Sequence, residues 1–108
     1  ILASMAPEIM TEPLAEASSG TVVAAAIDAV LEFQHDVIAC GPGLGRGPAV
    51  AEFVRALLDR STVPLVLDAD GLTVLADDSS ALAGREERSV IITPHPGEMA
   101  RLVGASVD

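Results

Sequence analysis

Three short, uninterrupted apolar runs constrain the fold of this chain more than any other feature of its sequence. They occupy residues 36–40, 64–68 and 89–93. Each run is continuous instead of alternating with polar residues, a pattern typical of strands in a parallel sheet that is covered on both faces. The segments between the runs have helical periodicity, so the sequence predicts an α/β layered fold with right-handed crossover connections.

The clearest helix is predicted between the first two runs. From Pro48 to Arg60, apolar residues recur at i, i+3, i+4, i+7 and i+8 and form one stripe of Val50, Phe53, Val54, Leu57 and Leu58. Pro48 fits the first helical turn, where a missing N–H costs nothing. Further helices are expected over about 21–33, after Asp70 and over 96–104, with one turn at most between 77 and 88.

Length and charge limit the classes of function. The chain has 108 residues and a formal net charge of −10, so it holds one domain at most and is strongly acidic. It also lacks lysine altogether. We therefore expect no nucleic-acid partner, no lysine Schiff base and no P-loop lysine on a phosphate.

The single cysteine and the hydropathy pattern predict the compartment. One cysteine, Cys40, indicates a reducing environment, and its place beside a glycine in an apolar run is typical of a small buried hydrophobe. No apolar run approaches the ~18 residues that a membrane span requires. We expect a cytoplasmic protein that does not bind membranes.

The sequence also indicates a piece of a longer protein. It begins with Ile1 inside an apolar segment, and three strands are few for a parallel sheet with helices on both faces. A partial sheet leaves strand edges open, which favours association between copies of a chain. The expectation is a central fragment of an α/β fold that forms homo-oligomers.

A glycine-rich segment, the glycine loop of residues 41–48, follows the first run and opens the predicted helix. Glycines let the backbone approach a ligand closely, and the N–H groups at a helix start attract phosphate. The spacing is neither the G-x-G-x-x-G fingerprint nor a P-loop. A tight strand-to-helix turn without a ligand is an equally good interpretation.

Two acidic residues lie at the end of the second run and just after it. Asp68 and Asp70 are two positions apart at the end of a predicted strand. They could hold Mg²⁺ through water or accept hydrogen bonds from a sugar. Alternatively, Asp70 caps the next helix and Asp68 ties down the loop. We expect Asp70 to contribute to capping in either case.

A histidine held between two prolines follows the third run. Pro94 and Pro96 fix the backbone around His95, and Glu98 falls at about the third position of the next helix. Glu98 then serves either the helix cap or a metal-bound water, and the alternative for His95 is a solvent-facing side chain at a capped helix start. Ligands of open α/β sheets bind outside the carboxyl ends of the strands, where all three clusters fall. The residues predict a phosphate-bearing small ligand, with or without Mg²⁺, and leave the reaction open.

Four segments in this order carry a family resemblance. They are Pro7-Glu8-Ile9-Met10, Gly41-Pro42-Gly43-Leu44-Gly45, Asp68-Ala69-Asp70-Gly71-Leu72 and Thr93-Pro94-His95-Pro96-Gly97-Glu98-Met99-Ala100-Arg101-Leu102. Together they resemble the NAD(P)H-hydrate dehydratase family, a branch of the ribokinase-like superfamily. Any one segment would be a weak match, whereas four in order are specific.

The resemblance implies a ribokinase-like parallel-sheet fold of three layers, of which residues 1–108 are a partial domain lacking its N- and C-terminal portions. It implies repair of nicotinamide cofactors, by removal of water from the hydrated form NAD(P)HX at the expense of ADP or ATP with Mg²⁺. The implied substrate-binding residues are Gly43, Gly45, His95, Asp68 and Asp70, and Glu98 is implied to order the water shell of Mg²⁺. The expected base, the Asp of a G-x-G-D segment, lies after Asp108, so the isolated chain is expected to be inactive.

Two positions depart from the family pattern. Gly71 stands where Ala is common and Thr73 where Asn is usual, which leaves the local contacts there open. Two other functions remain as alternatives. One is a small-molecule kinase of the same superfamily, acting on a vitamin precursor or a sugar. The other is a non-catalytic nucleotide-binding remnant.

Overall fold

Helices and strands alternate along the chain as the apolar runs predict. The computed structural model describes residues 14, 16, 22, 24–32, 36–83 and 88–104. The elements are α1 (Ile27–Glu32), β1 (Ile38–Cys40), α2 (Pro48–Arg60), β2 (Leu65–Leu67), α3 (Asp70–Thr73), β3 (Val90–Ile92) and α4 (Pro96–Val103), with 3₁₀ turns at Ala24–Ala26 and Ser79–Leu82.

The three strands form one parallel sheet in the order β1-β2-β3. Its register places Ala39, Val66 and Ile91 side by side on one face of the sheet. The opposite face carries Leu65 and Leu67, which are both fully buried. Ile91 is 53% exposed, so the described residues cover only one face of the sheet. The continuous apolar runs predict that both faces are covered.

Helix α2 contributes more residues to the buried core than any other described element, and its bounds are the predicted ones. The whole predicted stripe is buried: Val50, Phe53, Val54, Leu57 and Leu58. Burial of each such side chain contributes roughly 1.5–3 kcal/mol of transfer free energy, so the stripe decides how α2 docks. Pro48 occupies the start of the helix as predicted, and the Ser61 N–H ends it by donating to the Leu57 carbonyl at 3.0 Å.

The other predicted helices are also present. The helix expected over 21–33 appears as a 3₁₀ turn followed by α1, with residues 21, 23 and 33 outside the described part of the chain. Helix α4 ends at Gly104, whose φ of 71° is the left-handed cap that favours glycine. The 3₁₀ turn at Ser79–Leu82 is the single turn predicted for 77–88, of which 84–87 lie outside the description. None of the helices in the described ranges is long and apolar enough to cross a membrane.

Candidate functional site

The glycine loop and the segment after β2 meet at the carboxyl edge of the sheet. We call residues 68–71 the acidic turn. Its first amide, the N–H of Asp68, donates to the Cys40 carbonyl at 3.1 Å, and the Gly45 N–H donates to Oδ2 of Asp70 at 2.9 Å. The two predicted clusters are therefore one structural unit, bonded both at the strand ends and across the loops.

Close backbone packing between these two segments requires glycine at position 41 and leaves little room for a side chain at position 71. A Cβ on Gly41, whose φ is 153°, would lie 1.7 Å from the Asp68 carbonyl oxygen. A Cβ on Gly71 would lie 3.0 Å from the Cys40 carbonyl oxygen. The lack of a Cβ at these glycines thus lets the two backbone segments pack together. A Cβ added to Gly43 would have no heavy atom within 4 Å, so that position stays open to a ligand.

The prediction that Asp70 helps to cap α3 is wrong. The residue at the N-cap of α3 is Ala69, and no side chain makes the capping bond. Asp70 is already inside the helix, because its carbonyl accepts the Val74 N–H at 3.2 Å. Its carboxylate points elsewhere: Oδ2 accepts from Gly45, and Oδ1 lies 3.4 Å from Nε of Arg46.

The loop-tying role considered for Asp68 is present in the structure. Its Oδ1 accepts the Ala69 N–H at 2.8 Å, and its carbonyl accepts the Gly71 N–H at 2.9 Å. These bonds enclose Ala69, which adopts φ 47° and ψ −123°. A residue with a Cβ rarely takes that conformation, at a cost on the order of 1–3 kcal/mol. Neither this strain nor the pairing of Arg46 with Asp70 was predicted from the sequence. The position of Arg46 within the glycine loop was the only sequence feature that could have indicated the pairing.

His95 and Glu98 form a reciprocal cap at the start of α4. Nδ1 of His95 accepts the N–H groups of Gly97 at 3.1 Å and of Glu98 at 3.3 Å, and Oε1 of Glu98 accepts the His95 N–H at 3.1 Å. Because Nδ1 is an acceptor, the neutral ring carries its proton on Nε2. The Glu98 side chain is buried, but the imidazole is 63% exposed. Of the two roles predicted for Glu98, the structure shows the cap.

The segment that carries this cap is tied to the same edge of the sheet. The Thr93 N–H donates to the Leu67 carbonyl at 3.1 Å, so the chain leaves β3 beside the end of β2, where the acidic turn begins. Helix α4 also contacts α3. All three predicted clusters therefore lie at the carboxyl ends of neighbouring strands.

The whole chain, residues 1–108, matches a family model described as NAD(P)H-hydrate dehydratase. This chain belongs to the NAD(P)H-hydrate dehydratase family. It is 47% identical, over 98% of its length, to the bifunctional NAD(P)H-hydrate repair enzyme Nnr of Moorella thermoacetica, and 44% identical, over 95% of its length, to the enzyme of that name from Salinibacter ruber. It is 34% identical to the ATP-dependent (S)-NAD(P)H-hydrate dehydratase of Drosophila pseudoobscura pseudoobscura over 100% of this chain and 35% of that protein.

The match covers only part of the length of each relative. The chain spans 20% of the length of the two bacterial relatives. Its parallel sheet with flanking helices is consistent with part of the ribokinase-like fold of the family, as the resemblance implied. The departure at Gly71 has a local reason in this member, because a Cβ there would press on the Cys40 carbonyl.

A direct metal site is not formed by the described residues of this dehydratase-family chain. They contain no group of three or more His, Cys, Asp or Glu side chains that could hold an ion. The carboxylates of Asp68, Asp70 and Glu98 each accept a backbone N–H of the protein. Contact of Glu98 with Mg²⁺ through water therefore remains a prediction.

An apolar cavity of about 290 Å³ lies between β1, the glycine loop and α2. Pro42, Leu44, Phe53 and Leu57 line it together with Cys40. Burial raises the pKa of the Cys40 thiol above its ordinary value, so Cys40 is a small, partly buried hydrophobe, as predicted. Among the described residues, the side chains that line the cavity are apolar apart from the Cys40 thiol, so they do not suit the predicted phosphate-bearing ligand.

Proposed function

We propose that this protein repairs nicotinamide cofactors by removing water from NAD(P)HX to regenerate NAD(P)H, at the expense of ADP or ATP. The observation that carries the proposal is the family match over residues 1–108. The relatives support the same reaction by name, since they are NAD(P)H-hydrate repair enzymes and an ATP-dependent NAD(P)H-hydrate dehydratase.

Gly43 and His95 are the two groups that we propose for direct contact with NAD(P)HX. Gly43 is exposed, has φ 77° and leaves open space around its Cα, so substrate atoms can approach the backbone there. The imidazole of His95 is 63% exposed and its direction is fixed by the cap at Nδ1, and its Nε2 lies 3.5 Å from Oε2 of Glu98. The Nε2–H would donate to a hydroxyl oxygen of the substrate.

Gly45 and Asp70 are proposed to shape the same cleft rather than to bind through their hydrogen-bonding groups, because the Gly45 N–H is already donated to Asp70. Oδ1 of Asp68 already accepts from Ala69, so Asp68 is proposed to contact the substrate through its other carboxylate oxygen. A nucleotide co-substrate would bring Mg²⁺ with it, and Glu98 would reach the ion only through a water molecule. The G-x-G-D base is proposed to lie after Asp108, so the 108-residue chain alone is expected to show no turnover.

The partners that we propose are NAD(P)HX, an adenine nucleotide and further copies of the chain. Self-association would cover open apolar surface such as Ile91 on the outer strand β3, which is 53% exposed. A cytoplasmic location and the lack of nucleic-acid or membrane partners, expected from the acidic composition and single cysteine, remain predictions.

The test uses the full-length product of the gene that encodes this sequence. It is incubated with NADHX or NADPHX and with ADP or ATP in Mg²⁺ buffer, and the return of the reduced cofactor is followed by absorbance. We expect nucleotide-dependent conversion, and expect His95→Ala to raise KM more than Asp28→Asn, a change at an exposed pair with Arg60. Phosphorylation of hydroxymethylpyrimidine or pyridoxal without conversion of NADHX would favour the kinase alternative. Nucleotide binding without either reaction would favour the non-catalytic remnant.

A further inference from the structure

The structure gives Asp70 a task other than the substrate contact that its position in the family implies. Its carboxylate is occupied by the glycine loop: Oδ2 accepts the Gly45 N–H at 2.9 Å, and Oδ1 lies 3.4 Å from Nε of Arg46. The Asp70 side chain is only 22% exposed. We propose that Asp70 is a positioning residue that holds the glycine loop in its substrate-binding conformation, an inference that rests on the proposed function.

The glycine loop needs such a restraint because its own backbone is unusually free. Gly43, Gly45 and Gly47 have φ values of 77°, 86° and 125°, in the region that side-chain-bearing residues rarely adopt. Glycine loses more conformational freedom on ordering than any other residue. A single bond from Leu44 N–H to the Gly41 carbonyl, 3.1 Å long, closes a turn inside the loop. The bond from Gly45 to Asp70 adds a fixed point that is 25 residues away in sequence.

Asp70 can serve as that fixed point because the acidic turn is itself rigidly held. Gly71 packs against the backbone of Cys40 and Gly41, and the Ala69 carbonyl accepts the N–H groups of Leu72 and Thr73 at 2.9 and 3.0 Å. The strained backbone of Ala69 persists only because these contacts determine it. The carboxylate therefore projects from a well-anchored helix start onto the glycine-rich part of the loop, at Gly45.

Three variants of the full-length gene product test the proposal. Asp70→Ala removes the acceptor, Asp70→Asn keeps an oxygen for the Gly45 N–H but removes the charge, and Asp28→Asn is the control. Asp28 pairs with Arg60 at 2.7 Å on the exposed surface. Arg60 is the last residue of α2, which is 13 residues or about 20 Å long. The control therefore alters a carboxylate–arginine pair at the end of α2 opposite the glycine loop.

Two measurements give the expected pattern. Asp70→Ala should raise KM for NADHX about 10-fold, equal to about 1.4 kcal/mol, with kcat changed less than about twofold, because the loop binds ground and transition states alike. Hydrogen exchange of peptides within 41–48 should accelerate about 10-fold or more in Asp70→Ala. Asp70→Asn and Asp28→Asn should stay within about threefold of the parent protein in both measurements, because both keep the bond to Gly45.

Two results would overturn the positioning role of Asp70. Equal rises in KM for Asp70→Asn and Asp70→Ala would assign the effect to the charge and overturn the positioning role. Unchanged exchange within 41–48 in Asp70→Ala would overturn it as well. If the parent protein does not convert NADHX, the proposed function fails, and the exchange measurement alone decides whether Asp70 orders the loop. If Asp70→Ala does not fold, Asp70→Ser, whose hydroxyl is too short to reach Gly45, replaces it with the same expectations.

Discussion

Replacement of Gly41 by alanine should be one of the most damaging single-methyl changes in this chain. The new Cβ would lie 1.7 Å from the Asp68 carbonyl oxygen and 2.6 Å from its carbonyl carbon. The first distance is about half of an ordinary van der Waals separation. Neither atom belongs to a flexible side chain, so the ends of β1 and β2 would have to separate. That separation would strain the bond from the Asp68 N–H to the Cys40 carbonyl.

The magnitude follows from two contributions to the free energy of unfolding. Overpacking of a well-filled site costs roughly 1–3 kcal/mol. The positive φ of 153° costs a side-chain-bearing residue about another 1–2 kcal/mol. The sum, about 2–5 kcal/mol, is a large part of the roughly 5–15 kcal/mol that holds a domain folded.

Gly43→Ala is the matched control, because Gly43 also has a positive φ, 77°, but no heavy atom within 4 Å of an added Cβ. It should lose only the conformational part, about 1–2 kcal/mol. Urea denaturation of the two purified variants, followed by circular dichroism, measures the difference. With a slope of about 2 kcal/mol per molar urea, Gly41→Ala should unfold about 1 M earlier than Gly43→Ala. Equal midpoints would refute the close approach of Gly41 and Asp68.

Two further predictions concern strain and ionisation. Ala69→Gly should stabilise the protein by about 1 kcal/mol, since relief of the φ 47° conformation outweighs the added freedom of the unfolded chain; a lower urea midpoint in this variant would contradict the strain. Burial raises the pKa of Cys40 above 9.0, so the folded thiol keeps its proton at pH values where the unfolded thiol ionises. This contribution to the free energy of unfolding is complete below pH 9.0 and is lost as pH rises through the folded pKa. Alkylation by iodoacetamide should accordingly be slower than for free cysteine at pH 8 and still be rising above pH 9; a rate that levels off below pH 9 would refute it.

Local sequence patterns were enough to predict the backbone elements. The three runs became β1, β2 and β3, and the stripe from Pro48 to Arg60 gave α2 its bounds and its buried face. Gly104 marked the end of α4 because only a residue without a Cβ adopts its left-handed cap at no steric cost. Each of these predictions depends on residues that are neighbours in sequence.

The polar contacts of the site could not be predicted in the same way. Asp70 has the composition and position of a helix cap, yet its carboxylate bonds to Gly45, 25 residues away. The partner of the Asp70 carboxylate depends on how closely the ends of β1 and β2 approach each other. Gly41 and Gly71 set that distance in the folded chain. The strain at Ala69 is likewise imposed by tertiary contacts and has no local signal.

The bond between Asp70 and Gly45 also changes what the glycine loop can bind. A helix start preceded by glycines attracts anions because its N–H groups are unpaired and its dipole is positive. Here the protein places a carboxylate of its own on the Gly45 N–H, close to the start of α2, with Arg46 as its counter-charge. A second anion at the same N–H would meet the charge of Asp70 at short range. The loop is therefore better suited to the uncharged parts of a substrate around Gly43.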